Sequence, residues 1–144
     1  MPAVTETHPL ATSASATTTN VARLRRTLRH WLSDVLTEDP DAVDDLTLAT
    51  SEALENAADH AFVAAAAVGT MCLRAADDGD RITIVVSDNG RWKPPAPDAG
   101  YRGRGIDLMN RLADMSRVHP SSGGTSVTLV HHRVPAPRPQ TRLN

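Results

Sequence analysis

The chain has too few of the residues that would indicate a disulfide scaffold, a cysteine-rich metal site or a membrane span. Cys72 is the only cysteine among 144 residues, so no disulfide can form within the chain and a cysteine-rich zinc site is excluded. The longest apolar run, AFVAAAAVG, is too short to cross a bilayer. The first residues do not combine a basic segment with an apolar run, as a signal peptide would. We therefore expect a reducing, cytoplasmic location.

Aromatic residues and net charge are also low. Aromatics make up 3% of the residues, so the core must be built from Ala, Val, Leu and Ile. The formal net charge is -2, and no overall basic field would attract nucleic acid or an anionic membrane. A chain of this length is expected to form one compact domain.

Hydrophobic periodicity predicts the order of the elements. Apolar residues three and four positions apart predict a helix in NVARLRRTLRHWLSDVL and a second helix over about 41–62, with a break at Pro40 and with Asn20 and Asp41 as N-caps. A hairpin around DDGD, a short helix in GIDLMNRLADMS and a closing hairpin follow. This order predicts an α+β two-layer sandwich, in which about three helices cover one face of a mixed, mostly antiparallel sheet of four or five strands.

The two ends of the chain differ in composition from its middle. Residues 1–17 are rich in Ala, Thr, Ser and Pro, and they predict a flexible arm that is disordered or forms one short strand. Residues 18–132 carry the folded domain. Residues 133–144 predict a disordered tail that contains Pro and Arg.

The second predicted helix carries a polar pair. In SEALENAADHA, Glu52 and Asn56 are four residues apart, so they project from one face of the helix. Glu55 and Asp59 repeat this spacing one position round, and both faces cannot be equally buried. The Glu52–Asn56 face is therefore either solvated, as most polar helix faces are, or directed into a polar cavity.

Asp88 and Gly90 follow an apolar strand in IVVSDNGRW. Strand ends commonly present site residues. A buried carboxylate needs a hydrogen-bond donor, and the exocyclic amine of a purine would serve. Asn-Gly is also a common turn dipeptide, so an ordinary turn is the alternative.

Two glycine-containing segments complete the set. In GYRGRGIDLM, Gly103 and Gly105 flank Arg104 just before a helix; glycine amides and a helix N-terminus favour phosphate. The alternative is a flexible loop that ends where a helix starts. In SSGGTSVTLV, Gly124 and Thr125 open the last strand, where the alternative is an ordinary hairpin turn.

The order of these four segments resembles the GHKL (Bergerat-fold) ATPase superfamily. Within it, the chain is similar to the small bacterial anti-sigma-factor serine kinases of the RsbW and SpoIIAB type. SEALENAADHA resembles the N box of that family, SDNG its first glycine box, GRGIDLM its second, and GGTSVTL its closing Gly-Thr strand. The resemblance covers about residues 15–132, and it implies that 18–132 is an ATP-binding kinase domain.

The resemblance implies a role for each matching position. Asn56 would hold a Mg²⁺ ion that bridges the nucleotide phosphates, and Glu52 would polarise the attacking hydroxyl or act as its general base. Asp88 would accept a hydrogen bond from the adenine amine, Gly90 would let the base approach, and Thr125 would complete the adenine pocket. The phosphates would lie against the glycine loop at Gly103, Arg104 and Gly105.

The same resemblance implies a serine/threonine-protein kinase that uses ATP and Mg²⁺. It would phosphorylate an anti-anti-sigma (STAS-type) antagonist and sequester a sigma factor. It would also form a homodimer through the first strand and first helix, although the stripe at Leu24, Leu28 and Trp31 fits internal core better than an interface. The alternatives are a catalytically inactive ATP-binding module and a structural domain without a ligand. Trp92 favours the inactive module, because the fullest form of the first glycine box has a glycine there.

Overall fold

The computed structural model describes residues 8–64, 69–89, 107–121 and 123–133, with the backbone alone described for 60–64. Its elements follow the predicted order. They are β1 (Leu10–Ser15), α1 (Thr18–Val35), α2 (Pro40–Ala64), β2 (Thr70–Asp77), β3 (Arg81–Asp88), the helical segment α3 over 107–112, β4 (Met115–Ser121) and β5 (Gly124–His132).

The N-cap of helix α1 lies three residues before the predicted one. The Thr17 hydroxyl accepts a hydrogen bond from the backbone N–H of Asn20 at 3.2 Å, so Thr17 is the N-cap and the prediction of Asn20 is wrong. The Asn20 side chain instead donates to the carbonyl of Ser15 at 2.9 Å. This contact ties the start of α1 to the end of β1.

Helix α2 is capped by Asp39, not by Asp41. The Asp39 carboxylate accepts from the backbone N–H of Ala42 at 3.1 Å. Pro40 occupies the first helical position, where its missing N–H costs nothing. Helix α1 has already ended at Val35, so Pro40 starts a helix rather than breaking one.

The strands form one five-stranded sheet in the order β1-β2-β3-β5-β4. Every pairing between the described strands is antiparallel. Both predicted hairpins are present, β2–β3 and β4–β5. The predicted α+β sandwich is confirmed.

The helices lie on one face of this sheet and bury alternate strand residues. Helix α1 packs against β1 and β2, and α2 packs against β2, β3 and β5. Leu24 and Leu28 are almost fully buried, as expected for core. Trp31 is half-buried, and its indole N–H donates to the carbonyl of His8 at 2.9 Å. No described helix has the length and hydropathy needed to span a membrane.

Both ends of the described chain contact the sheet and the helices. Of the two alternatives for the first 17 residues, the described part shows the strand, since β1 pairs with β2. At the other end, Arg133 contacts the Asp77 carboxylate at 2.6 Å and the Val35 carbonyl at 3.0 Å. Arg133, the last described residue, is therefore attached to the ends of β2 and α1.

Candidate functional site

Glu52 and Asn56 lie on α2 as predicted, and both are half-buried. Glu55 and Asp59, which lie three residues further along α2 than Glu52 and Asn56, are exposed. The two polar faces of α2 are thus not equivalent. Glu52 and Asn56 border the buried face of the helix, while the other pair faces solvent.

Contacts to α1 show which flank of α2 the half-buried pair occupies. The Arg25 guanidinium of α1 donates to the Ser51 hydroxyl at 3.4 Å. Glu52 follows Ser51 by about 100° round the helix, away from α1. Asn56 lies one turn further on the same flank. Because α1 covers the β1–β2 side of the sheet, Glu52 and Asn56 face the side that carries β5 and β4.

The pKa of the Glu52 carboxyl is raised above its usual value. Partial burial is the larger cause, because it penalises the charged form, and the nearby Glu55 carboxylate adds repulsion. A carboxylate with a raised pKa is a stronger base, which suits a group that must take a proton near neutral pH.

Asp88 and Thr125 stand directly opposite each other on β3 and β5. They lie on the helix side of the sheet, in line with the buried Val86 and Val127. The Thr125 hydroxyl is buried and has no hydrogen-bond partner among the described residues. Such a group is costly unless a ligand or water satisfies it. A carboxylate and an unsatisfied hydroxyl are thereby brought together at one end of two central strands.

Gly124 allows this close approach. It has a φ of +144, and a Cβ added there would overlap the carbonyl oxygen of Asp88 and lie 3.0 Å from the Cα of Asn89. A side chain would therefore push β5 away from β3 beside Asp88. The hairpin turn considered from the sequence is real, but it does not explain why this position is glycine.

Sequence reasoning missed the structural role of Asn89. Its side-chain oxygen accepts from the backbone N–H of Thr70 at 3.0 Å, and its own N–H donates to the Thr70 carbonyl at 3.3 Å. The end of β3 is therefore attached to β2 just beyond Asp88. The Asn-Gly dipeptide suggested only a turn, and the partner Thr70 could not be identified without the strand register.

The remaining predicted site residues, which belong to the two glycine boxes, lie outside the described part of the chain, as does Trp92. They are Gly90, Gly103, Arg104 and Gly105. Among the described residues, no three His, Cys, Asp or Glu side chains form a group that could hold a metal ion. The oxygens of Glu52 and Asn56, one turn apart on α2, are nevertheless of the type that Mg²⁺ prefers.

A family model for the histidine kinase-like ATPase domain matches residues 14–131. The chain belongs to the histidine kinase-like ATPase family. This histidine kinase-like ATPase domain is therefore an ATP-binding, kinase-like domain with the GHKL fold, as the sequence resemblance implied.

Solved structures agree with this assignment. The structure of the RsbU and RsbW domains of Rv1364c from Mycobacterium tuberculosis matches with a TM-score of 0.69 and 28% identity, over 86% of this chain and 31% of that one. The histidine kinase domain of the Erythrobacter litoralis EL346 blue-light activated histidine kinase matches with a TM-score of 0.53 and 28% identity, over 63% of this chain and 44% of that one. The histidine kinase-like ATPase domain thus spans less than half the length of either.

Proposed function

We propose that the domain is an anti-sigma regulatory factor with serine-protein kinase activity. It phosphorylates an anti-anti-sigma protein of the STAS type and sequesters a sigma factor. The observation that carries the proposal is the half-buried pair on α2, Glu52 and Asn56, with the raised pKa of Glu52. The similarity to a structure that contains an RsbW domain supports the regulatory part.

The described geometry supports the nucleotide contacts proposed for Asp88 and Thr125. Asp88 accepts a hydrogen bond from the adenine amine, and the buried Thr125 hydroxyl completes the pocket directly or through water. The two residues face each other across β3 and β5, so one planar base can meet both. Gly90, Gly103, Arg104 and Gly105 are proposed to contact the base and phosphates.

In the proposed reaction, a serine hydroxyl of the antagonist attacks the γ-phosphorus of ATP. Its proton passes to the Glu52 carboxylate as the new oxygen–phosphorus bond forms. The bond between the γ-phosphorus and the departing ADP oxygen breaks. Bound through the Asn56 amide oxygen, Mg²⁺ would supply charge neutralisation at the phosphates.

The decisive experiment is a phosphotransfer assay with γ-labelled ATP and a STAS-domain protein that the chain binds. We expect phosphoserine on the antagonist with wild type. We expect at least a hundredfold loss of rate for Glu52→Gln, with ATP affinity unchanged within about threefold, because general-base catalysis contributes about 10²–10⁴-fold. Absence of phosphoserine while ATP binds would refute the kinase proposal.

A second candidate is a module that binds ATP and partners without transferring phosphate. Trp92 in place of a glycine of the first glycine box favours it. Under this alternative, Glu52→Ala leaves partner exchange intact. Under the kinase proposal, the same substitution abolishes the exchange.

Nucleotide binding is tested separately by calorimetric titration with ATP and ADP, with and without Mg²⁺. We expect Asn56→Ala to remove the magnesium-dependent part of the ATP affinity, and Asp88→Asn to weaken both nucleotides equally. Unchanged binding in Asn56→Ala would exclude the metal-binding role of Asn56. We further propose a homodimer and a cytoplasmic place of action, for which analytical ultracentrifugation and fractionation are the tests.

A further inference from the structure

The face of the sheet opposite the helices is uncovered in the described part of the chain. Strand residues that alternate with the core residues point to this side, and most of them are exposed or half-buried. We call it the open face. Asp88 and Thr125 point to the other side, so the open face is separate from the proposed nucleotide site.

The strand arginines of the open face carry positive charge. Apart from the Cys72 thiol, the ionisable side chains of the described strands on this face are basic ones, namely Arg74, Arg81, Arg117, His119 and His132. Of these, Arg81 is paired with the Asp78 carboxylate in the β2–β3 turn at 3.5 Å. The two described strand carboxylates, Asp77 and Asp88, follow the buried residues of β2 and β3 onto the helix side. A chain with a net charge of -2 thus presents a local cationic surface.

Arg74 and Arg117 define one row across this surface. Register pairs Arg74 with Val85, Val85 with Thr128, and Thr128 with Arg117. Three strand spacings of about 4.8 Å place the two arginine Cα atoms about 14 Å apart. Both side chains are exposed, and neither forms an ion pair or side-chain hydrogen bond with another described residue. Their charge is therefore available to a partner.

The surface between these two arginines carries short side chains, most of which end in hydroxyl groups. Ser87 lies beside Ser126, and Val85 beside Thr128, across the central strands β3 and β5. These side chains are small and half-buried. A helix backbone could approach such a surface closely, while the arginines reach up on either side.

We propose that the open face binds an acidic helix of a partner protein, laid across the strands from Arg74 to Arg117. The separation of about 14 Å equals about nine residues of α-helix, so carboxylates spaced along one helical face can meet both arginines. A nucleic acid fits less well. It carries a phosphate charge about every 1.7 Å of duplex axis, whereas this row offers two arginines. The described open face also has no Phe, Tyr or Trp side chain on which bases could stack.

The test uses a fluorescent helical peptide of about 18 residues, long enough to cross the sheet, with glutamates along one face. A second peptide has the same composition but glutamates spread around the helix. Binding is measured by anisotropy with the full chain. We expect the first peptide to bind more tightly than the second. Arg74→Glu combined with Arg117→Glu should weaken it at least tenfold.

The matched control is Arg23→Glu combined with Arg26→Glu. It makes the same charge change at two exposed positions of α1, and it should alter peptide affinity by less than twofold. ATP affinity should be unchanged in both double variants, which checks folding and separates this proposal from the nucleotide site. Equal losses in both double variants, no preference between the peptides, or no peptide binding would overturn the proposal. Tighter binding of a DNA duplex through Arg74 and Arg117 would also overturn it.

Discussion

Gly124→Ala tests whether close approach of β5 to β3 holds the candidate site together. The added methyl group would overlap the Asp88 carbonyl oxygen and lie 2.9 Å from its carbon. These are backbone atoms, which cannot rotate away as a side chain does. The φ of +144 is also one that L-residues rarely adopt. The backbone must therefore move at the point where Asp88 faces Thr125.

The expected cost combines two effects. Holding alanine in a backbone region that is nearly restricted to glycine costs about 1–3 kcal/mol. Moving β5 away weakens the hydrogen bonds at that end of the β3–β5 ladder, each worth about 1 kcal/mol. We expect about 3 kcal/mol of lost stability, which lowers Tm by about 10 °C for a domain of this size.

Two other glycines separate these effects in a thermal unfolding assay. Gly79→Ala introduces only the backbone strain, because Gly79 has a φ of +96 and nothing lies within 4 Å of an added Cβ. We expect a loss of stability of about 1 kcal/mol. Gly123→Ala introduces neither backbone strain nor a steric overlap, since nothing lies within 4 Å of the added Cβ. It should change stability by less than about 0.5 kcal/mol. ATP affinity should fall only for Gly124→Ala. Equal effects of the three substitutions would refute this reasoning.

Two further predictions concern charge. Because Glu55 helps to raise the pKa of Glu52, Glu55→Gln should move the acid limb of the phosphotransfer pH–rate profile to lower pH. The control is Asp45→Asn at an exposed position of the same helix. The prediction would be contradicted by no shift in Glu55→Gln, or by the same shift in the control. Arg133→Ala leaves the nearly buried Asp77 without its partner at 2.6 Å, so urea unfolding should show a loss of about 2–3 kcal/mol. Arg29→Ala, which breaks an exposed pair of the same length, should cost less than about 1 kcal/mol.

The sequence predicts the elements well because their signals are local. Apolar spacing marks α1 and α2, and DDGD marks the β2–β3 turn. The caps are wrong because several polar residues precede each helix and only the backbone geometry selects one. Arg133 could not be assigned from the sequence, since its contacts to Asp77 and Val35 join segments far apart in the chain.

The candidate site, too, is predictable from the sequence only where its signals are local. The four-residue spacing of Glu52 and Asn56 is visible in the sequence, and their common helix face follows from it. Which flank of α2 they occupy depends on α1, through the contact of Arg25 with Ser51. That the two residues border the core while Glu55 and Asp59 do not is thus a result of tertiary packing.

Register is the property on which both faces of the sheet depend. Because side chains alternate, a slip of one residue between β3 and β5 would turn Thr125 to the open face and carry Ser126 to the helix side. One feature opposes that slip: Gly124 is the residue that tolerates the contact with Asp88. The Asn89–Thr70 hydrogen bonds act on the other side of β3, where they hold its end against β2. The proposed adenine pocket and the proposed helix-binding row from Arg74 to Arg117 lie on opposite sides of the sheet. Both nevertheless require the same register between β3 and β5.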